Sequence, residues 1–182
     1  MSKFNVPTRN EVSENNQGIF DNLEKAVGFV PNIYATMASS ENALKNFLDF
    51  ANAESSLKTK EKEVINLAVS EYNQCQYCLS AHTAIAGMNG YTAEQIIELR
   101  TGEASFDSRL NALARLSRNI AENKGATNPE ILQNFFSHGW TKENLIDVFN
   151  QIGEITITNY LHKTTEVPVD FPAAKAIQLA TA

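Results

Sequence analysis

The chain has 182 residues, 43% hydrophobic and 20% charged, with a formal net charge of −6. That is enough apolar material for one sizeable core, and too acidic a balance to neutralise phosphates, which excludes nucleic acid and anionic membrane surfaces as partners. No apolar run approaches the roughly 20 residues that span a bilayer, and the opening MSKFNVPTRNEVSENNQG lacks a signal-like apolar stretch, so a cytoplasmic protein is expected.

Apolar residues recur at helical spacing almost everywhere and strand-like alternation is scarce, which predicts an all-α fold in a single domain over 1–182. Residues 1–18 are polar and read as an irregular N-terminal segment. A helix is expected over 19–27, stopped by Gly28 and Pro31, with Asn32 placed to cap the next one over 33–38. Ser39 or Ser40 would cap a helix over 41–54. Further helices are expected over 59–72, 75–88, 93–101, 108–124, 129–137 and 142–163, with Gly90, Gly102, Gly125 and Gly139 as the clearest stops. After EVPVDFP, the Ala-rich tail AAKAIQLATA reads as helical or frayed.

GYTAEQII (90–97) and GWTKENLI (139–146) share a glycine, an aromatic, a threonine and an apolar pair. One reading is an internal two-unit repeat. The mechanical reading is a device in which Gly ends one helix and Thr92 or Thr141 caps the next, with Gln95 completing a capping box in the first copy.

Chemistry concentrates in SEYNQCQYCLSAHTAIAG (70–87), which holds both cysteines of the chain, Cys75 and Cys78, followed by His82. Helical residues turn about 100° each, so Glu71, Cys75, Cys78 and His82 would share one stripe, and Cα atoms three apart lie roughly 5 Å from each other, within disulfide reach. Asn73 read as the N-cap puts Cys75 nearest the positive dipole end, which favours its thiolate. His82 is one turn from Cys78 and favours that sulfur instead. Spacing leaves the attacking thiol open. Glu71 lies one turn before Cys75 only on an unbroken helix. Glu63 would stand about 22 Å from Cys78 on such a helix, and joins the site only if the chain bends near YNQ so that the 59–72 helix packs back on the next.

Three readings of the motif compete. Two cysteines beside Leu79 and Ala81 could be simple packing. Two thiolates with His82 and Glu71 count four ligands, but structural zinc sites draw on two separated ligand pairs, so no metal is expected. Thiol–disulfide chemistry is preferred, because CxxC keeps a resolving thiol within reach of the attacking one. Elsewhere, His138 reads as a helix-end dipole partner, and His162 as either the same or a pocket residue. Trp140, Phe135 and Phe136 read as core or interface aromatics, and LKTKEKEV as a solvated face from which Glu63 departs by entering the apolar run.

Three stretches, FDNLEKAVGFVPNIYATMA (20–38), LKTKEKEVINLAVSEYNQCQYCLSAHTAIA (57–86) and NYLHKTTEVPVDFP (159–172), resemble the carboxymuconolactone decarboxylase and alkylhydroperoxidase AhpD-like family, in its peroxidase-related subgroup. The specific match is a glutamate, eleven residues, CxxC and a histidine four beyond, which falls on Glu63, Cys75, Cys78 and His82. The resemblance implies an AhpD-like helical bundle with the CxxC region at 57–88, assembled as a trimer or hexamer. It implies a peroxidase or disulfide-reductase cycle in antioxidant defence, peroxiredoxin-like in activity: Cys78 attacks a small hydroperoxide, Cys75 resolves the sulfenic acid, and Glu63 with His82 relays protons. No bound cofactor is expected. The disulfide would be reduced by an external dithiol, lipoyl or thioredoxin-like or another protein donor. Glu71, Tyr77 and His162 remain secondary candidates. Well-studied AhpD proteins carry a relay histidine where this chain has Tyr77, and a tyrosine, with its pKa near ~10, does not shuttle protons at neutral pH. The alternatives are a carboxymuconolactone-type decarboxylase, which does not need the CxxC, and a non-catalytic redox-responsive helical oligomer.

Overall fold

The computed structural model describes residues 4–177. After a single 3-10 turn at Arg9–Glu11, the elements are α1 (Glu14–Val27), α2 (Asn32–Met37), α3 (Ala43–Ala51), α4 (Thr59–Tyr72), α5 (Gln76–Met88), α6 (Ala93–Arg100), α7 (Ser108–Glu122), α8 (Pro129–Ser137) and α9 (Lys142–Thr165). Among the described residues all regular structure is helical, as the periodicity predicts.

Helix α4 is the axis of the fold. Its run Glu63 to Ser70 is buried on every side, because VINLAV leaves no polar face. Helices α5, α6, α7 and α9 pack around it, and α8 reaches the bundle through α7. A second, smaller cluster, built on Phe20, Met37, Leu44 and Phe47, joins α1, α2 and α3. Trp140 and Phe135 belong to the main core and stack with ring centroids 5.3 Å apart. Arg109 lies over the indole 3.5 Å from its centroid.

Several boundaries differ from the sequence reading for local reasons. Helix α1 starts at Glu14 rather than 19, because Ser13 caps it by accepting from the Asn16 N–H. The Asn16 side chain is buried and donates to the carbonyls of Ala38 and Ser40, so residues 14–18 of the polar start are helical and tied down, while 5–8 have no regular structure. Pro31, not Asn32, precedes α2. The Asn32 N–H is satisfied by the Asp170 carboxylate at 2.6 Å. Asn42, not Ser39 or Ser40, precedes α3, and it makes no side-chain cap bond. Glu61 is buried like Glu63, and pairs with Arg109 at 2.6 Å. The tail expected to be helical or frayed from 173 has no regular structure through 177, and its remainder lies outside the described residues.

The paired GYT and GWT segments build the same joint twice. Gly90 and Gly139 take positive φ (86° and 81°), and Thr92 and Thr141 each form a capping box, with Gln95 and with Asn144. The second box uses an asparagine where the first uses a glutamine.

Candidate active site

Between α4 and α5 the chain turns sharply without a glycine. Asn73 ends α4, Gln74 takes φ of 55°, and the N–H groups of Gln74 and Cys75 donate back to the carbonyls of Glu71 and Ser70. This is a Schellman closure with glutamine in the left-handed position. From α9, Asn159 accepts from the Asn73 amide at 2.8 Å and Lys163 donates to the Asn73 carbonyl at 3.0 Å, so tertiary contacts hold the turn. Cys75, not Asn73, is therefore the N-cap of α5, and its sulfur accepts from the Cys78 N–H at 3.3 Å. Both sulfurs are buried in the first turn, joined as a disulfide with Cα atoms 5.4 Å apart.

The bend brings Glu63 to His82. Glu63 Oε2 lies 2.9 Å from His82 Nδ1, and the carboxylate is 6% exposed. The carboxylate can only accept, so Nδ1 carries the proton and Nε2 of the neutral ring keeps a free lone pair. Burial lowers the His82 pKa, but the charge and hydrogen bond of Glu63 carry it above the ordinary value. Asn66 fixes Glu63 from the same helix, donating to Oε1 at 3.1 Å, and accepts in turn from the Gln151 amide at 2.9 Å. Gln151 also bonds to Glu154.

Cys78 and His82 face a cleft of about 410 Å³, a usual size for a small-molecule site, whose remaining walls are mostly apolar: Ile33, Tyr34, Ile85 and Phe171 among them. Cys75 and Glu63 are not on its surface. Glu63 stands behind the histidine, and Cys75 behind its partner sulfur. Across the cleft, α9 contributes Glu154 and Thr158, with Thr158 Oγ1 3.8 Å from Cys78 Sγ.

The secondary candidates are dispersed. Glu71 points away and is locked at 2.6 Å to Arg100, a residue 3% exposed in its side chain that also donates to the Lys175 carbonyl. The broken helix thus removes Glu71 from the cysteine stripe. Tyr77 does reach the cleft, but its hydroxyl accepts from the Ile33 N–H at 3.3 Å, and burial followed by the Asp170 carboxylate pushes its pKa far above the ordinary value. His162 packs against the Tyr77 ring, centroids 5.3 Å apart, and donates from Nε2 to the Val167 carbonyl. Burial lowers its pKa. His138 closes α8, with Nδ1 2.8 Å from the Asn134 carbonyl.

The sequence reading missed Asn66, Gln151, Glu154 and Thr158. Only Glu154 left a signal: a lone acid among the apolar residues of QIGEITIT.

The all-helical bundle, which sets a CxxC pair and a carboxylate-backed histidine beside one apolar cleft, has an AhpD-like fold. Residues 39–119 match the carboxymuconolactone decarboxylase family. Among solved structures, a peroxidase-related protein with the alkylhydroperoxidase AhpD core from Ralstonia eutropha JMP134 is similar at TM-score 0.83 and 21% identity, over 93% of this chain and 92% of that one. A peroxidase-related protein from Silicibacter sp. TM1040 is similar at TM-score 0.80 and 23% identity, over 91% and 90%. A cysteine-to-alanine variant of the debrominase Bmp8, in complex with 2,3,4-tribromopyrrole, is similar at TM-score 0.76 and 15% identity, over 93% and 94%. No curated protein matches the sequence.

Proposed function

We propose that the protein is a thiol-dependent peroxidase and disulfide oxidoreductase in which Cys78 attacks and Cys75 resolves. One observation carries the reading: of the two sulfurs only Cys78 lines the cleft, together with a His82 whose Nδ1–H is held by Glu63. His82 Nε2 takes the Cys78 thiol proton, and the resulting imidazolium is stabilised by the Glu63 carboxylate. The thiolate takes the distal oxygen of a small hydroperoxide, and Cys75 then displaces hydroxide from the sulfenic acid to close the disulfide. An external dithiol, lipoyl or thioredoxin-like, reopens it. The chain works as a homo-oligomer, trimer or hexamer, in keeping with the exposed apolar residues Ile146, Phe149, Ile157 and Tyr160 along α9. Among the described residues no helix is long and apolar enough to cross a membrane, and we place the protein in the cytoplasm.

Stopped-flow oxidation of the reduced protein by hydroperoxides, followed by mass spectrometry, tests this. Cys78→Ser should abolish oxidation, and Cys75→Ser should stop at a sulfenic acid on Cys78. Wild-type rates in both variants would end the thiol reading. Turnover of a carboxymuconolactone by the double variant would point to the decarboxylase, and a change of assembly size with reductant but no peroxide turnover to a redox-responsive oligomer.

The apolar walls favour a second substrate class, a halogenated heteroaromatic ring of the kind bound to the Bmp8 variant. Stoichiometric bromide release from a brominated pyrrole by the reduced wild type, lost in Cys78→Ser, would establish it.

A further inference from the structure

Glu154 is the one carboxylate among the residues lining the cleft, which it shares with Cys78 and His82. Glu63 holds the histidine from behind and does not line the cleft, so of the two acids only Glu154 faces it. Glu154 also lines a second hollow of about 40 Å³ with Lys62, Asp147 and Gln151, large enough for water. Glu154 thus borders both the cleft and this hollow. Tyr34, whose hydroxyl makes no hydrogen bond among the described residues, lines the same cleft, and burial followed by the charge of Glu154 pushes its pKa up to about 12.

We propose that Glu154 is the acid that protonates the departing oxygen of the substrate, a task separate from the removal of the thiol proton by His82 and Glu63. The inference rests on the peroxidase reading. When the Cys78 thiolate attacks a hydroperoxide, an S–O bond forms, the O–O bond breaks, and the alkoxide leaves with the bonding pair. Glu154 gives that alkoxide its proton, so the products are the alcohol and the Cys78 sulfenic acid. Condensation with the Cys75 thiol then releases water, and Glu154 regains a proton through the second hollow. The surroundings suit an acid that keeps its proton. Burial raises the Glu154 pKa against the opposing pull of His82 on α5, Gln151 on its own helix and Lys62 on α4, and Glu63 on α4 adds to the rise. Tyr34 on α2 is neutral across the working range.

The test varies the leaving group. An alkoxide is a strong base and needs an acid, whereas the carboxylate released by a peracid does not. Pre-reduced full-length wild type, Glu154→Gln and Glu154→Asp are mixed with tert-butyl hydroperoxide or peracetic acid, and Cys78 oxidation is followed. Glu154→Gln should slow the alkyl hydroperoxide reaction about 100-fold, at the low end for a lost general acid, and leave the peracid reaction unchanged. Glu154→Asp should recover part of the loss. The wild-type hydroperoxide rate should fall on the alkaline side as Glu154 loses its proton, a limb missing in Glu154→Gln and in every peracid profile. Equal slowing with both oxidants would make Glu154 merely structural, and no slowing with the hydroperoxide would also overturn the role. If wild-type thiols react with neither oxidant, the peroxidase reading falls, and this role with it.

Discussion

Two of the carboxylates on helix α4, Glu63 and Glu71, stand about 12 Å apart along its axis with side chains 6% and 11% exposed, and they meet unlike partners. Glu63 meets a histidine, a titratable group whose second nitrogen makes no hydrogen bond among the described residues. Glu71 meets an arginine that never loses its charge and that also holds the Lys175 carbonyl of the C-terminal segment. The first pair can move a proton and the second can only hold position. The C-terminal segment is held further by Ser80, which accepts from the Ala174 N–H, and by Gln76, which donates to the Ala174 carbonyl. The Glu71 end of the helix thus anchors a strap across the start of the CxxC helix, and the Glu63 end is the one to which we assign its proton chemistry.

That contrast is broken most severely at Glu63. Glu63→Gln keeps a hydrogen-bonding side chain but removes the charge that stabilises the His82 cation. Peroxide turnover should fall about 100- to 1,000-fold with the melting temperature little changed, read by steady-state rates and calorimetry side by side. Turnover within a few-fold of wild type would leave His82 acting alone. The mirror experiment is Glu71→Ala, which strands a buried guanidinium at a cost of about 3 kcal/mol or more. For a chain of this size that lowers the melting temperature by roughly 6–12 °C, while turnover well below the transition is kept. A variant that instead loses activity at unchanged stability would move Glu71 into the chemistry.

A weaker effect sharpens the comparison through pH. The folded-state pKa of His82 lies above its ordinary value, so the stabilisation it contributes is fully present below the unfolded pKa near ~6.5 and is lost as pH rises through the folded value. Removing Glu63 removes the main upward push. The gap in melting temperature between wild type and Glu63→Gln should therefore be wider at acid than at alkaline pH, and for Glu71→Ala, whose partner does not titrate, it should be flat between about pH 6 and 9.

The helical fold was legible because burial on α4 is continuous and the other helices carry clear caps and stops. The spacing that brings Glu63 to His82 was legible only as a condition, since it required a bend. The bend itself was obscure: its left-handed residue is Gln74 rather than glycine, and contacts from Asn159 and Lys163, more than eighty residues away in sequence, stabilise it. Without that bend Asn73 looks like a cap for α5 and Glu71 like a neighbour of Cys75. Glu154 was obscured differently. An isolated acid in α9 acquires meaning only once α9 lies against α5 and the two helices share one cleft with α1 and α2.

Tyr77 extends the comparison to the residue between the cysteines, where the resemblance leads one to expect a relay histidine. Its phenol is bonded to the Ile33 N–H, and its ring packs edge-on against Phe171, centroids 5.7 Å apart. It therefore behaves like Glu71, as an anchor: it ties the C-terminal strap and α2 to the CxxC helix. Tyr77→Phe keeps the ring and leaves the Ile33 N–H without its acceptor, so it should cost about 1 kcal/mol of stability by denaturant titration, the smallest effect of the series. Hydroperoxide turnover should stay at the wild-type level, with an unshifted pH profile. A slowed reaction at unchanged stability would return the phenol to the proton path, and would mean that His82 and Glu63 do not complete the relay alone.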